Sequence, residues 1–443
     1  MELNKIILLN FNKHINQIKR GGVKVFIKKL ISFIYLILQI PIYLISIPTV
    51  ITIHLISPWL LIRWNELCSS RIGHFAKETE LYCCKRDAEI GIPLQSYVDI
   101  FFLHKYVSNK QLEKMWRRSL IILPRWLLYP LFRVNRYINI FIKGGDHHEI
   151  KNNTLRDVHN LLEKFKPHIN FTNDEKIKGK NLLTKLGVPQ DAKFVCLNVR
   201  DSAYLNRYKK STLRDWSYHN YRDADIDKYV LAAEELARRG YYILRMGVKV
   251  LKPLKSSNPK IIDYVNSAIR SSFMDIYLGA ECNFCISTAT GFDDIPGIFR
   301  KPIAYSNLTP FGLTINHDEK SLILTKHHIS KKFKRRLTVS EIFLSNVALC
   351  LKTEEYEKNG IELEENSPEE IRDLVVEMDE RLNGCWIEKK EDSLLQKKFW
   401  SIYEENVKRM KLSDPSIPKG PLNGKIKSRF GAKFLRENKN WIR

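Results

Sequence analysis

The sequence predicts an α/β fold with parallel sheets, preceded by a membrane-associated segment. Beyond residue 62, short apolar runs bounded by turn residues alternate with amphipathic stretches, as strands and helices do in that fold class. Ahead of them, residues 31–62 contain no Asp, Glu, Lys or Arg, a membrane signal at that length. The composition agrees with a globular chain: 44% of the 443 residues are hydrophobic and 28% charged, which excludes disorder and a fibre. Eight cysteines are too sparse for a disulfide scaffold and fit a reducing, intracellular setting.

Taken in order, residues 1–30 form a basic arm with seven Lys/Arg and one acid, Glu2. The uncharged run that follows would measure roughly 48 Å as one helix, against a hydrocarbon core of about 30 Å. Pro41, Pro48 and Pro58 oppose a straight helix. The run is too long for a signal peptide and no small-residue cleavage site follows. A kinked span, a segment that re-enters or lies on the surface, and a buried hairpin of a soluble protein remain. The formal charge of +24 calls for anionic partners. A membrane surface meets that need without nucleic acid.

Tyr97–Leu103 reads as a strand and Asn109–Ser119 as a basic helix. Residues 143–146 (KGGD) read as a turn. Thr172 and Glu175 have capping-box spacing and start a helix that ends near Gly187, with a domain boundary at Gly187–Lys193. Phe194–Val199 is a buried-type strand. Asp227–Arg239 is a helix closed by Gly240, and Tyr241–Met246 a strand ending in Gly247. Ile261–Tyr264, Asn283–Ser287 and Ile303–Ser306 are further strands, Ser272–Ala280 a short helix, and Thr288–Arg300 a loop and helix. The domains expected are 1–62, 63–188, 189–350 and a helical 351–443 that packs back on the core.

Candidate chemistry sits on the strand ends. Ser287, Thr288, Thr290 and Gly291 lie between a strand and a helix, where free N–H groups and hydroxyls suit a phosphate; Thr290 or Asp293 as a plain helix cap is the alternative. Arg200 and Arg245 each close an apolar strand and can hold a diphosphate, or pair with Asp201, Asp263 or Asp275. Asp201 and Arg222–Asp225 (RDAD) are read as groups that position these arginines. Cys282 and Cys285 straddle a strand start without a second pair and read as buried small residues. The neighbouring pairs His147-His148 and His327-His328 cannot both face one metal, so neither a metal nor another cofactor is expected. The run Thr325–Arg336 carries six basic residues and no acid, a solvated face or a second membrane contact.

Several segments in the same order resemble a family of bacterial glycosyltransferases encoded among surface-polysaccharide genes and related to the GT-B superfamily. They are residues 71–76 (RIGHFA), 171–175 (FTNDE), 195–201 (VCLNVRD), 221–223 (YRD), 244–247 (LRMG), 273–278 (FMDIYL), 287–302, 365–371 (ENSPEEI) and 434–438 (FLREN). The resemblance implies two Rossmann-like domains facing a cleft, an N-terminal one (63–188) for the acceptor and a C-terminal one (189–350) for a nucleotide sugar. It implies metal-independent transfer to a glycan acceptor, lipid-linked given the membrane segment. The donor would be held by Arg200, Asp201, Arg245, Gly247, Asp263 and the Ser287–Gly291 turn. His74 would be the base, with Glu78 in reserve. Nucleotide sugars are cytoplasmic and the basic arm stays inside, so a re-entrant segment on the cytoplasmic face of the membrane is expected over a span. A nucleotide-sugar epimerase of the same architecture and a non-catalytic scaffold for polysaccharide assembly are the alternatives.

Overall fold

A computed structural model describes residues 17, 22–23, 25–27, 29–31, 40–141, 145–151, 156–203, 216–314, 318–413 and 424–443. Most of the basic arm, part of the uncharged run and residues 143–144 of the expected turn lie outside them. In chain order the elements used below begin with α1 (residues 40–56), β1 (Leu61–Leu67), α2 (Ile72–Asp87), β2 (Tyr97–Leu103), α3 (Lys110–Ser119), β3 (Ile121–Ile122) and α4 (Arg125–Phe141). They continue with α5 (Asn173–Lys185), β4 (Phe194–Asn198), α6 (Val230–Arg238), β5 (Tyr242–Arg245), β6 (Ile261–Ile262), α7 (Ser272–Glu281), β7 (Phe284–Ser287), α8 (Asp294–Ile298) and β8 (Ile303–Leu308). The last are β9 (Leu322–Thr325), β10 (His327–Ser330), β11 (Arg335–Arg336), β12 (Ile361–Glu364), α9 (Pro368–Leu382) and β13 (Arg429–Phe430).

Contacts divide the chain into two units, and each gathers several stretches. One holds Met1–Glu66, Pro93–Leu103 and Ile121–Lys151; the other holds the remainder. These cuts differ from the sequential segments expected above. In the smaller unit β1, β2 and β3 form a three-stranded sheet, with β2 and β3 parallel. That is a shorter sheet, among the described residues, than the Rossmann-like domain implied by resemblance. Its core joins Val50 of α1, Trp64, Phe102, and Leu128, Phe132 and Val134 of α4. Helix α1 runs through Pro48 and stops before Pro58. At about 1.5 Å per residue its described residues 40–56 span roughly 25 Å. Among the described residues no helix is long and apolar enough to cross a membrane.

The larger unit holds a seven-stranded sheet in the order β13-β9-β8-β7-β4-β5-β6, with every strand pair parallel. Its strands are wholly buried from β7 through β9 and in β4, as apolar strands covered on both faces must be. The local signals hold. Asn109 caps α3, the Thr172–Glu175 capping box starts α5, and Gly240 follows α6 with φ +99°. Two expectations change. The Ile261–Tyr264 strand stops at Ile262, because Tyr264 turns away to donate to Asp275 at 2.9 Å. The C-terminal region is not wholly helical, since it supplies β12 and the edge strand β13.

The basic run Thr325–Arg336 divides in two: Lys326, His327, His328 and Ser330 are buried and Lys331–Arg335 exposed. On β10 successive side chains alternate faces, so His327 meets Glu370 at 2.8 Å while His328 lies against Phe311 and Tyr356. Burial pushes the His328 imidazole down to about 3. The native state therefore holds it neutral, whereas the unfolded chain takes up a proton below pH 6.5. Stability should be full above pH 6.5 and fall as the pH drops, by about 2 kcal/mol at pH 5 from this group. Urea unfolding at pH 5 and 7 checks this: a His328→Gln protein should lose that part of the pH dependence.

Candidate functional site

From β4 the chain winds outward through β5 and β6, then returns to lay β7 on the other side of β4 before continuing to β8 and β9. The β4–β7 pair is therefore the topological switch point, where strand-end loops diverge and leave room for a ligand. Asn198 and Ser287, the last residues of these strands, stand opposite each other.

The segment between β7 and α8 is tied across this point. The Asn198 amide donates to Thr290 Oγ1, and the Arg200 N–H donates to Thr288 Oγ1 at 3.0 Å. Ser287 Oγ donates to Asp293 Oδ2 at 3.2 Å. Ala289 is left-handed at φ +56°, costly for a residue with a Cβ, and the Arg222 guanidinium donates to its carbonyl. The helix that follows differs from expectation. Only Asp294–Ile298 is helical, with the acids Asp293 and Asp294 at its start, so it offers no long positive terminus for a phosphate. Burial and the neighbouring Asp294 carboxylate push Asp293 up to about 8, and burial raises Asp294 too.

Cationic groups gather beside the turn. Arg200 pairs with Asp223 at 3.0 Å, yet one of its terminal nitrogens is buried with no hydrogen-bond partner among the described residues, as is Nε of Arg222. Burial and then the Arg222 charge lower the pKa of Arg200. Lys326 donates to the Asp223 carbonyl at 2.5 Å, and burial pushes it down to about 8. Arg200 and Lys326, each buried and each beside the guanidinium of another residue, lack a full set of counter-charges, a condition an incoming anion relieves.

Arg245 is not part of that group. Its side chain is 1% exposed, 3.8 Å from both Asp201 and Asp263, and donates to the Lys252 carbonyl at 2.7 Å. Arg245 thus faces two half-buried acids at the β5 end, which supplies the pairing alternative to a donor role, although its Nε, like the nitrogens of Arg200 and Arg222, is buried with no hydrogen-bond partner among the described residues. Asp201 also accepts from the N–H groups of Ala203 and Leu251. Gly247 turns the chain at φ +148° and its carbonyl accepts from Arg270.

Helix α2 brings the remaining candidates to the same place. A Cβ on Gly73 would lie 2.6 Å from Asp294 Oδ2 and 2.8 Å from the Cα of Gly291, so only glycine lets α2 press on the turn. Its cap residue Arg71 makes no side-chain capping bond and its first turn has no acid. The Asp294 carboxylate lies at that end, where the helix dipole favours it. Lys77, one turn on, faces Asp294 at 3.5 Å. His74 Nδ1 meets Glu78 Oε1 at 2.8 Å across one helical turn. Hydrogen bonds that the protonated ring donates to Cys68 and Glu78 hold the imidazole up to about 9. A Gly73→Val substitution should separate α2 from the turn and abolish ligand binding there, with a thermal-unfolding midpoint several degrees lower; an unchanged protein would refute the close approach.

Thus the structure joins His74, Glu78, Arg200, Ser287, Thr288, Thr290 and Gly291. Asn198, Lys326, Lys77 and Asp294 were not singled out for this site, while Arg222 was read only as a positioning group and Asp293 only as a helix cap. The polar Asn198 at the end of an apolar strand and the paired acids inside the quoted 287–302 segment are signals that pointed to them.

No family model matches the chain, and no curated protein does. Among solved structures the chain is similar to a glycosyl transferase family 9 protein from Veillonella parvula DSM 2008, at 11% identity and a TM-score of 0.33, over 56% of this chain and 79% of that one. It is also similar to the ADP-heptose lps heptosyltransferase II of E. coli, at 9% identity and a TM-score of 0.32, over 56% of this chain and 86% of that one. Likenesses this slight assign no activity.

Proposed function

We propose that the chain is a GT-B-type glycosyltransferase that moves a sugar from a nucleotide-sugar donor to a glycan acceptor in surface-polysaccharide synthesis. The observation that carries the reading is the meeting of three things at the β4–β7 switch point: a polar turn, under-neutralised guanidinium groups and the His74–Glu78 pair. In this reading Arg200, Arg222 and the Thr288–Gly291 turn hold the donor diphosphate. His74 takes the proton of the acceptor hydroxyl in its deprotonated form, the minority form at neutral pH because its pKa is held up to about 9, and the hydroxyl oxygen attacks the anomeric carbon as the nucleoside diphosphate leaves. The guanidinium groups neutralise the charge that develops on the departing oxygen, so the step needs no metal.

A nucleotide-sugar epimerase is the second reading, favoured by the paired acids Asp293 and Asp294 beside the turn. Incubating the protein, in membranes that supply lipid-linked acceptor, with a panel of nucleotide sugars separates the readings. Sugar on lipid supports transfer, an altered donor supports epimerisation, and neither supports a scaffold.

The same proposal places the protein on the cytoplasmic face of the membrane with a lipid-linked acceptor. Support comes from α1, whose inner side packs through Tyr43, Val50 and Ile53. Its outer side exposes Leu44, Ile45 and Leu55 at 62%, 68% and 68%, and Trp59 follows. A helix apolar on both sides and without charge suits the interface between water and lipid, with the basic arm on anionic headgroups. Removing residues 1–62 would also remove part of the core, so outward-facing substitutions are the better test. A Leu44→Glu/Ile45→Glu/Leu55→Glu protein should bind anionic vesicles at least about tenfold more weakly in co-sedimentation, with its circular dichroism unchanged.

A further inference from the structure

We propose that Cys68, His74 and Glu78 form a binding site for a borderline divalent cation of the Zn²⁺ class. Their ligand atoms, one thiol sulfur, one imidazole nitrogen and one carboxylate oxygen, all lie within 4.8 Å of one another. A tetrahedral zinc ion with ligands at about 2.0–2.3 Å sets them roughly 3.3–3.8 Å apart, so a small contraction suffices. Two ligands come from positions i and i+4 of α2, a rigid element, and the third from the chain just before its cap. The site is partly open, with side-chain exposures of 28% for His74 and 15% for Glu78. An ion can enter, and the three-ligand set leaves a fourth position for water or substrate, as in open zinc sites.

A second set in the same unit shows what a filled site of this composition looks like. Glu80, Cys84 and His168 also bring their ligand atoms within 4.8 Å. There the Arg300 guanidinium already lies 2.5 Å from Glu80 and 3.8 Å from Cys84, so a cation of the chain occupies it. An added divalent ion would meet that positive charge directly. The Cys68 set is therefore the one assigned to a metal.

The consequence rests on the transfer reading above: an ion on His74 and Glu78 takes up the lone pairs that would accept the acceptor proton. Metal binding is then inhibitory, and transfer runs with the site empty. The test uses the full chain, stripped with a chelator and dialysed, titrated with Co²⁺ and followed by absorption. One equivalent should give tetrahedral cobalt bands with a thiolate charge-transfer band. Cys68→Ser should remove the charge-transfer band, and Glu78→Gln should weaken Co²⁺ and competing Zn²⁺ binding at least about tenfold. Circular dichroism confirms that both variants fold. The absence of a charge-transfer band, or a band unchanged in Cys68→Ser, would overturn the site. Transfer that continues with the site filled would contradict the His74–Glu78 assignment and leave the metal site standing.

Discussion

In a His74→Ala protein the rate of sugar transfer is expected to fall about 10²–10⁴-fold, the range for loss of an acid–base group, while nucleotide-sugar affinity is retained. The split between the two measurements follows from geometry. His74 stands on α2 and is tied to Glu78 at 2.8 Å, whereas the groups assigned to the diphosphate stand on the strand ends and the turn. The side chain is partly exposed, so its loss leaves no large cavity and the fold should persist. Glu78→Gln keeps a hydrogen-bond acceptor for the imidazole but removes the charge, and should cost less than His74→Ala. A rate that falls only because donor binding falls would move His74 from proton transfer to anion binding.

The second large effect concerns the two arginines. Arg222→Met should weaken donor binding about 10–100-fold, the worth of one charge-assisted bond to a phosphate, and Arg200→Met/Arg222→Met should abolish detectable binding. Arg200 is the less clean single test, since its removal leaves Asp223 without its partner. Arg245 provides the contrast. Enclosed between Asp201 and Asp263, it should when changed to Met lower stability by about 3–5 kcal/mol, the usual cost of breaking a buried pair. Chemical unfolding read beside calorimetric binding separates these outcomes.

This contrast shows which features were legible in the sequence. The β2 strand, the Asn109 and Thr172 caps and the end of α6 at Gly240 follow from signals confined to a few neighbouring residues, and all appear where the pattern sets them. Cys196, Cys282 and Cys285 are likewise buried, as small apolar side chains in a core. The direction of a strand-end arginine is a different matter. Arg200 and Arg245 end neighbouring strands with similar sequence contexts, yet Arg245 is captured by Asp201 and by Asp263, which is 18 positions away along the chain. Arg222 and Lys326 reach the site from far along the chain, through bonds to Ala289 and Asp223 that no local pattern encodes. The helix after Gly291 is shorter than its composition suggests. It starts only at Asp294, and Arg300 has already turned to φ +61° to reach Glu80.

Calorimetric titration of the full chain with a panel of nucleoside diphosphates bears on the main assignment most directly. Saturable binding of at least one of them, weakened about 10–100-fold on Arg222→Met, lost on Arg200→Met/Arg222→Met and kept in Leu44→Glu/Ile45→Glu/Leu55→Glu, is the result expected from an anion site at the β4–β7 switch point. Binding that survives Arg200→Met/Arg222→Met, or a folded protein that binds no member of the panel, would contradict it.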